Sequence, residues 1–233
     1  MIFSIIIPIY NEKNTIKQLL EKIEAVDLSE FNCNKEVVLV DDASTDGTKE
    51  VLKSLPEKYK VIYHTQNKGK GAAIQTGLAV ITGDYVIIQD ADLEYDPQDY
   101  KIIMKCVLDN NAQVVYGSRP LKAKGRAYKP LNSSYYWGGI FLNYATRFLY
   151  RINITDESTC YKLFKTELIK SIPLNSQRFG FCPEVTAKIA KRGIKIHEVP
   201  ISYTPRHKKE GKKIKWIDGV EALWILIKYK FVD

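Results

Sequence analysis

The sequence is poor in residues that bind soft metals. Its four cysteines (Cys33, Cys106, Cys160 and Cys182) include no CxxC pair, and its three histidines (His64, His197 and His207) are scattered. A zinc site or a disulfide framework is therefore not expected, and a reducing compartment fits. Long apolar runs are also missing, although a membrane-spanning helix needs about 20 such residues. The longest uncharged candidate, residues 130–146, contains two Asn, two Ser and a Thr, and the apolar ALWILI near the end is only six residues long. Met1-Ile2-Phe3-Ser4 runs straight into strand-like sequence without a basic leader, so no secretory signal is expected. Three nucleotide or ion motifs fail on position. GxxxxGK[ST] does not occur, Lys53 stands where an EF-hand beginning at Asp42 requires Glu, and Ile74 replaces the third small residue of a dinucleotide fingerprint.

Charge is ample but unevenly placed. Residues 1–118 hold 12 Lys+Arg against 18 Asp+Glu, whereas residues 119–233 hold 23 against 9, which accounts for the overall +8. Either the basic half carries solvated faces, or it meets something anionic: a membrane surface, a lipid phosphate or a nucleic acid. Of these, nucleic acid fits least, because the aromatics of this half follow helical spacing and are not interleaved with Arg on a sheet face.

The first half alternates strands and helices. FSIIIPIY (3–10) is too short for a helix and suits a strand buried on both faces. Asn14 is placed to cap a helix to about Val26, with Ile16, Leu19, Leu20 and Ile23 on one face. Strands follow at 35–42, 60–65, 84–90 and 112–118, with helices after Thr45, over 70–81, and from Pro97 to about Leu108. This order predicts an α/β fold with a largely parallel, doubly wound sheet and right-handed crossovers. At 233 residues the chain suits one domain, residues 1–118 forming one half and 119–233 the other. In the second half, Trp137, Phe141, Tyr144 and Phe148 lie at helical spacing, CYKLFK (160–165) and 194–203 suit strands, and helices are expected over 183–191 and around 222–231.

Carboxylates gather where such a fold binds ligands, beyond the carboxyl ends of its strands. Strand one ends in Pro8-Ile9-Tyr10-Asn11-Glu12, strand two in Asp41-Asp42, and the 84–90 strand in Asp90-Ala91-Asp92. Repulsion between two close carboxylates costs about 4 kcal/mol at an effective dielectric of 20. A divalent cation removes that cost, and an oxygen-only donor set from Asp90 and Asp92 suits Mg²⁺ or Mn²⁺. The small-residue turn before the 70–81 helix, flanked by Lys68 and Lys70, suits either the negative end of a nucleotide or a close-packed helix start. Carboxylates, a metal and nearby cations suggest a nucleoside diphosphate whose leaving charge the metal neutralises.

In order and spacing, SIIIPIYNE, VVLVDDASTDGT, NKGKGAAIQTGL and DADLEYDP resemble the family 2 glycosyltransferases of GT-A fold. GSR (117–119), TDESTCYKLFK (155–165), EVPISYTPR (198–206) and EGKKIKWIDG (210–219) are similar to the branch of dolichyl-phosphate mannose synthase and bacterial polyprenyl-phosphate glycosyltransferases. By this resemblance, Pro8, Tyr10, Glu12 and Asp41 or Asp42 hold the base and ribose of a sugar nucleotide. Asp90 and Asp92 bind the metal that bridges the diphosphate, with Glu94 as a third ligand where the family often has Gln. Arg119 faces the phosphates, Lys129 and Ser133 hold the acceptor's phosphate, and Arg206 and Lys213 close over the site. Asp156 matches the acidic residue of a motif that usually continues to Ser-Gly-Phe, whereas this chain has Cys160-Tyr161 in the Gly-Phe place.

A sugar hydroxyl needs a general base in order to attack, whereas a phosphomonoester, with a second pKa near 6, is already largely ionised at neutral pH and needs cations to hold it. The basic half has cations in abundance, and Asp156 and Glu184 are its obvious candidate carboxylates. The QxxRW motif of processive synthases is absent. The expected reaction is thus a single transfer, inverting as the family resemblance implies, from GDP-mannose or a UDP-hexose to a polyprenyl phosphate, the alternative being a glycan hydroxyl as acceptor. A lipid acceptor implies a peripheral enzyme on the cytoplasmic face of a membrane, docked directly or through an anchoring partner subunit. The aromatic stripe suits that interface, or else it packs on the sheet.

Overall fold

The computed structural model describes residues 1–121, 134–206 and 216–232. Seven strands form one sheet in the order β3-β2-β1-β4-β6-β5-β7: β1 (Ile2–Ile9), β2 (Asn34–Asp41), β3 (Lys60–Tyr63), β4 (Tyr85–Ile88), β5 (Val114–Ser118), β6 (Lys162–Lys165) and β7 (His197–Pro200). The β1 run lies at the centre, parallel to both β2 and β4. Its residues alternate between two cores, Phe3, Ile5, Ile7 and Ile9 on one face and Ile6 on the other, which is why the run is continuously apolar.

Helix α1 (Ile16–Glu24) buries Ile16, Leu19, Leu20 and Ile23 as its periodicity predicts. It starts one residue later than a cap at Asn14 would set it, with Thr15 at the N-cap. The Thr15 hydroxyl donates to Glu12 Oε2 at 2.8 Å. Helices α2 (Thr48–Lys53), α3 (Lys70–Val80) and α4 (Tyr100–Asn110) complete the crossovers of the first half.

The largest departure from the sequence reading is β6. It pairs antiparallel with both β4 and β5, so it separates two strands that a simple alternating order would place side by side. Short α6 (Thr166–Lys170) and α7 (Phe181–Lys191) follow it. Helices α5 (Ser134–Tyr150) and α8 (Trp216–Phe231) pack on each other and on α7 through Leu142, Tyr150, Ala187, Ala222, Ile225 and Leu226. The aromatic stripe of α5 does not pack on the sheet. Trp137, Phe141, Tyr144 and Phe148 are exposed, the last by 85%, and Trp216, Val220, Trp224 and Phe231 of α8 are exposed as well.

Candidate active site

A cavity of about 580 Å³ opens beyond the C-terminal ends of β1 and β4. Pro8, Tyr10 and Glu12 after β1, Asp42 after β2, and Asp90, Asp92 and Glu94 after β4 line one side. Arg119, Asp156 and Arg206, from the second half, line the other. A buried polar knot fixes the end of β4. Tyr100 Oη and Tyr161 Oη each donate to Gln89 Oε1 at 2.6 Å, and Gln89 is fully buried. The chain then turns through Leu93 at φ 63°, and Glu94 N donates to Asp92 Oδ1 at 3.1 Å, which sets Asp92 beside Asp90.

Burial, with Asp90 and Glu94 adding like charge, pushes the Asp92 carboxyl up from 3.8 to about 7. Asp90 is answered by Lys70, whose ammonium contacts Asp90 Oδ1 and also donates to Cys160 Sγ at 2.9 Å. Burial opposes the charge on Lys70, yet Asp90 holds its pKa well above the usual lysine range. Arg206 forks onto Glu12, with Nη2 to Oε1 at 2.8 Å and Nη1 to Oε2 at 3.2 Å, and lies 3.5 Å from Asp92 Oδ2. A single arginine thus bridges the carboxylates at the ends of two different strands.

A divalent cation fits Asp90 and Asp92. Both are oxygen donors, and the burial and neighbouring like charge that raise Asp92 are costs that a cation would offset. Glu94 is not placed as a third ligand. Its carboxylate accepts from Arg206 N at 2.7 Å and Tyr203 Oη at 2.8 Å, and its carbonyl from Thr204 N at 2.8 Å. Those bonds tether residues 203–206 across the acidic edge. Among the described residues no group of three or more His, Cys, Asp or Glu side chains is arranged to hold a metal.

Arg119 and Asp156 come together as one unit. Arg119 Nε donates to Asp156 Oδ2 at 2.7 Å, Nη2 to Oδ1 at 2.7 Å, and the backbone N to Oδ2 at 3.0 Å. Asp156 therefore orients the guanidinium, with both of its oxygens engaged by Arg119. Glu184, the other acidic candidate, does not line the cavity. It is fully buried in α7 and accepts from Asn175 N, Ser176 N and Lys188 Nζ at 2.9, 2.7 and 2.8 Å. A carboxylate so enclosed holds the 175–178 segment in place.

The turn before α3 is a close-packed helix start. Gly71 N and Ala72 N donate to the carbonyls of Arg178 and Gln177 at 3.1 and 2.9 Å, so these first helical N–H groups already have acceptors. A Cβ on Gly71 would come within 2.2 Å of the Ser176 carbonyl oxygen, which requires glycine there. Asp42 accepts from Lys68 N at 2.8 Å, Gly69 N at 2.7 Å and His64 Nδ1 at 2.7 Å. The Lys68 side chain is exposed and does not line the cavity; Lys70 takes that place. Asp41 is buried, its Oδ1 without a hydrogen-bond donor among the described residues. Lys129, Ser133 and Lys213 lie outside the described residues.

Two features escaped the sequence reading. Glu157 lines the cavity, and burial pushes its carboxyl up to about 7 although Lys162 opposes the shift. Cys160 and Cys182, remote in sequence, line the same cavity. The substitution of Cys160 for the glycine of the resembled motif was the available signal for the second; nothing in the sequence signalled the first.

Comparison with known proteins gives one family. The model of glycosyl transferase family 2 matches residues 4–172. A dolichyl-phosphate beta-glucosyltransferase of Trichomonas vaginalis is 28% identical, covering 97% of this chain and 72% of the relative. A dolichol-phosphate mannosyltransferase of Pyrococcus furiosus is 30% identical over 90% of this chain and 58% of its own length. An uncharacterized protein of Methanocaldococcus jannaschii, 30% identical, is covered over 91% of its length and matches 97% of this chain. Among solved structures, glucosyl-3-phosphoglycerate synthase from Mycobacterium tuberculosis, in complex with Mn²⁺, UDP and phosphoglyceric acid, aligns with a TM-score of 0.72 at 18% identity, covering 99% of this chain and 79% of that one. That likeness identifies the fold as GT-A.

Proposed function

From the premise that the chain belongs to glycosyl transferase family 2 and is a glycosyltransferase, we propose that it transfers one sugar, with inversion, from a nucleotide-sugar donor to a polyprenyl phosphate. The observation that carries this reading is the state of Asp156. Both of its oxygens are engaged by Arg119, so the second half presents at this point a cation held in place by its carboxylate. Such a wall suits an acceptor that arrives already anionic. The names of the Trichomonas and Pyrococcus relatives, which specify dolichyl or dolichol phosphate, support the same acceptor class.

In this reading the donor base and ribose lie along Pro8, Tyr10, Glu12 and Asp42, whereas Asp41 is buried and does not line the cavity. Asp90 and Asp92 hold Mg²⁺ or Mn²⁺, which when bound supplies positive charge against the departing diphosphate. A phosphate oxygen of the acceptor attacks the anomeric carbon as the bond to the diphosphate breaks, and the electron pair leaves with the diphosphate. Arg119, oriented by Asp156, and Arg206, held by Glu12, place fixed positive charge where anionic groups meet. Lys129, Ser133 and Lys213 are proposed for the acceptor's phosphate on the family resemblance alone.

No helix among the described residues is long and apolar enough to cross a membrane. The exposed aromatics of α5 and α8 instead suit lying in an interface, where nearby basic residues each add about 1 kcal/mol against anionic lipid. The exposed rings support a peripheral position at a membrane surface, and its cytoplasmic face is proposed on the family resemblance alone. One observation favours a second reading, transfer to a glycan hydroxyl: the Glu157 carboxyl, near 7, has the affinity of a general base.

Nucleoside diphosphate release from GDP-mannose, UDP-glucose and UDP-N-acetylglucosamine, each with Mn²⁺ or Mg²⁺, with and without a short polyprenyl phosphate, separates the two. Release that requires the lipid and survives Glu157→Gln supports the phosphate acceptor. Lipid-independent release on a glycan, abolished by Glu157→Gln, replaces it with the hydroxyl reading.

A further inference from the structure

Four cations line the cavity among the described residues, and three of them are already paired. Lys70 meets Asp90, Arg119 meets Asp156 and Arg206 meets Glu12. The fourth, Arg178, is exposed, and its side chain makes no ion pair or hydrogen bond among the described residues. Most exposed arginines are simply solvated. What sets this one apart is the backbone on which it is mounted.

The 175–178 segment is fastened from two sides. Glu184 accepts from Asn175 N and Ser176 N at 2.9 and 2.7 Å, and Lys188 Nζ in turn holds Glu184 Oε1 at 2.8 Å. On the other side, the carbonyls of Arg178 and Gln177 accept from Gly71 N and Ala72 N at 3.1 and 2.9 Å, and that of Ser176 from Gln75 Nε2 at 3.0 Å. The approach leaves no room for a side chain at residue 69. A Cβ there would lie 2.6 Å from the Gln177 carbonyl oxygen and 3.0 Å from Arg178 Cγ, and Gly69 is at φ 94°, a region open to glycine. The start of an 11-residue helix would otherwise offer its first N–H groups to an anion. Here carbonyls cover two of them, and the same segment brings a full positive charge to that place.

We propose that Arg178 binds the diphosphate of the nucleotide donor.

The inference rests on the proposed function in taking a sugar nucleotide as donor, and position then selects the diphosphate. Gly69, against which the Arg178 side chain packs, donates its N–H to Asp42 Oδ2 at 2.7 Å, and the next residue, Lys70, contacts Asp90. Asp42 stands on the side read as the base and ribose site, and Asp90 on the side read as the metal site. Arg178 is thus mounted beside the turn that joins the two, along which a diphosphate runs from ribose to metal. Charge selects it as well. The diphosphate gains negative charge as its bond to the sugar breaks, and a guanidinium with no carboxylate of its own answers that charge without giving up an ion pair. The planar fork of arginine also matches phosphate oxygens two at a time.

The test is equilibrium binding to the full chain, so it needs neither acceptor nor turnover. Calorimetric titration with GDP and with UDP, each with Mg²⁺, is carried out on wild type, Arg178→Ala, Arg178→Lys and Lys53→Ala. For whichever nucleotide the wild type binds, Arg178→Ala should raise Kd about tenfold and Arg178→Lys about threefold. Lys53→Ala removes one exposed charge outside the cavity and should leave Kd unchanged. Added salt should narrow the gap between wild type and Arg178→Ala. Because the Arg178 side chain is exposed, its loss leaves the fold intact, and thermal melts of both Arg178 variants should match wild type. Equal Kd for wild type and Arg178→Ala overturns the proposal and leaves the donor reading standing, since the wild type still binds. A wild type that binds neither nucleotide overturns both. A loss confined to KM for a short polyprenyl phosphate, with nucleotide affinity unchanged, also overturns the proposal, because Arg178 then serves the acceptor.

Discussion

The two walls of the cleft are built on opposite electrostatic plans. The wall made of strand ends gathers Glu12, Asp42, Asp90 and Asp92, and part of its charge is left unanswered: Asp92 is pushed up to about 7 even with Arg206 at 3.5 Å. The wall made by the second half pairs most of its charges internally, but not Glu157, whose two carboxylate oxygens are buried without a hydrogen-bond donor among the described residues. Arg119 engages both oxygens of Asp156, and behind the wall Lys188 pairs with Glu184 and Lys162 with backbone carbonyls. A paired arginine is held in place for a ligand, whereas a cluster of like charges gains free energy when something positive arrives. Under the proposed function, the first wall holds the divalent cation and the second positions the arginine.

The most damaging way to break this contrast is to remove the unanswered charge. Asp92→Asn should lower nucleoside diphosphate release about 100-fold or more at saturating Mg²⁺, because a neutral amide neither binds the ion nor repels Asp90. The same change should leave the metal-free fold as stable as wild type or more so, by about 1–3 kcal/mol at pH 8. The sign follows from the raised pKa. A carboxyl shifted upward contributes full stability below its unfolded value of 3.8 and loses it as pH rises through about 7. Metal-free wild type should therefore weaken across that window, and Mg²⁺ affinity should rise about tenfold per pH unit below 7 and level off above it. Calorimetric titration and urea melts check both. Wild-type turnover in Asp92→Asn would remove Asp92 from the metal site.

The same contrast explains what was legible in the sequence. Strand-end carboxylates follow from topology alone: once FSIIIPIY and DYVIIQD are read as parallel strands, Glu12, Asp90 and Asp92 must share an edge. The α/β order and the apolar face of α1 were legible for the same reason, since local periodicity sets them. Side-chain commitments in the second wall are tertiary facts. No spacing reveals that Asp156 and Glu184, similar carboxylates in the sequence, become one arginine's clamp and one loop's anchor. Nor does local pattern distinguish Lys68 from Lys70, two residues apart, when the closely packed helix start turns only one of them inward. The antiparallel insertion of β6 escaped because its short run, KLFK, carries no sign of its direction.

Breaking the second wall should have an intermediate effect. Arg119→Lys keeps the charge and loses the fork, and Asp156→Asn keeps the shape and loses the anchor. Each should cost about 2 kcal/mol in kcat/KM, roughly 30-fold, through lost orientation. Because both changes disrupt one unit, the double variant should be little worse than either single, so that the cycle returns a coupling free energy of about 1–2 kcal/mol. Additive losses would mean that Asp156 acts on substrate separately from Arg119, which would restore it as a base.

The mildest test concerns the outer side of the second half, where α5 and α8 turn apolar rings away from the wall they support. Phe148 and Trp224, both exposed, touch no part of the cleft, so replacing both with Ser should change folding stability by no more than about 0.5 kcal/mol. Turnover of a water-soluble, short-chain polyprenyl phosphate should likewise stay at the wild-type level. If these rings lie in a membrane interface, removing them lowers the fraction of protein that sediments with vesicles of anionic lipid several-fold, and lowers turnover only when the acceptor is embedded in those vesicles. Equal loss with soluble and embedded acceptor would mean that the rings support the wall itself, and the separation between a ligand-facing and a lipid-facing side of the same two helices would fail.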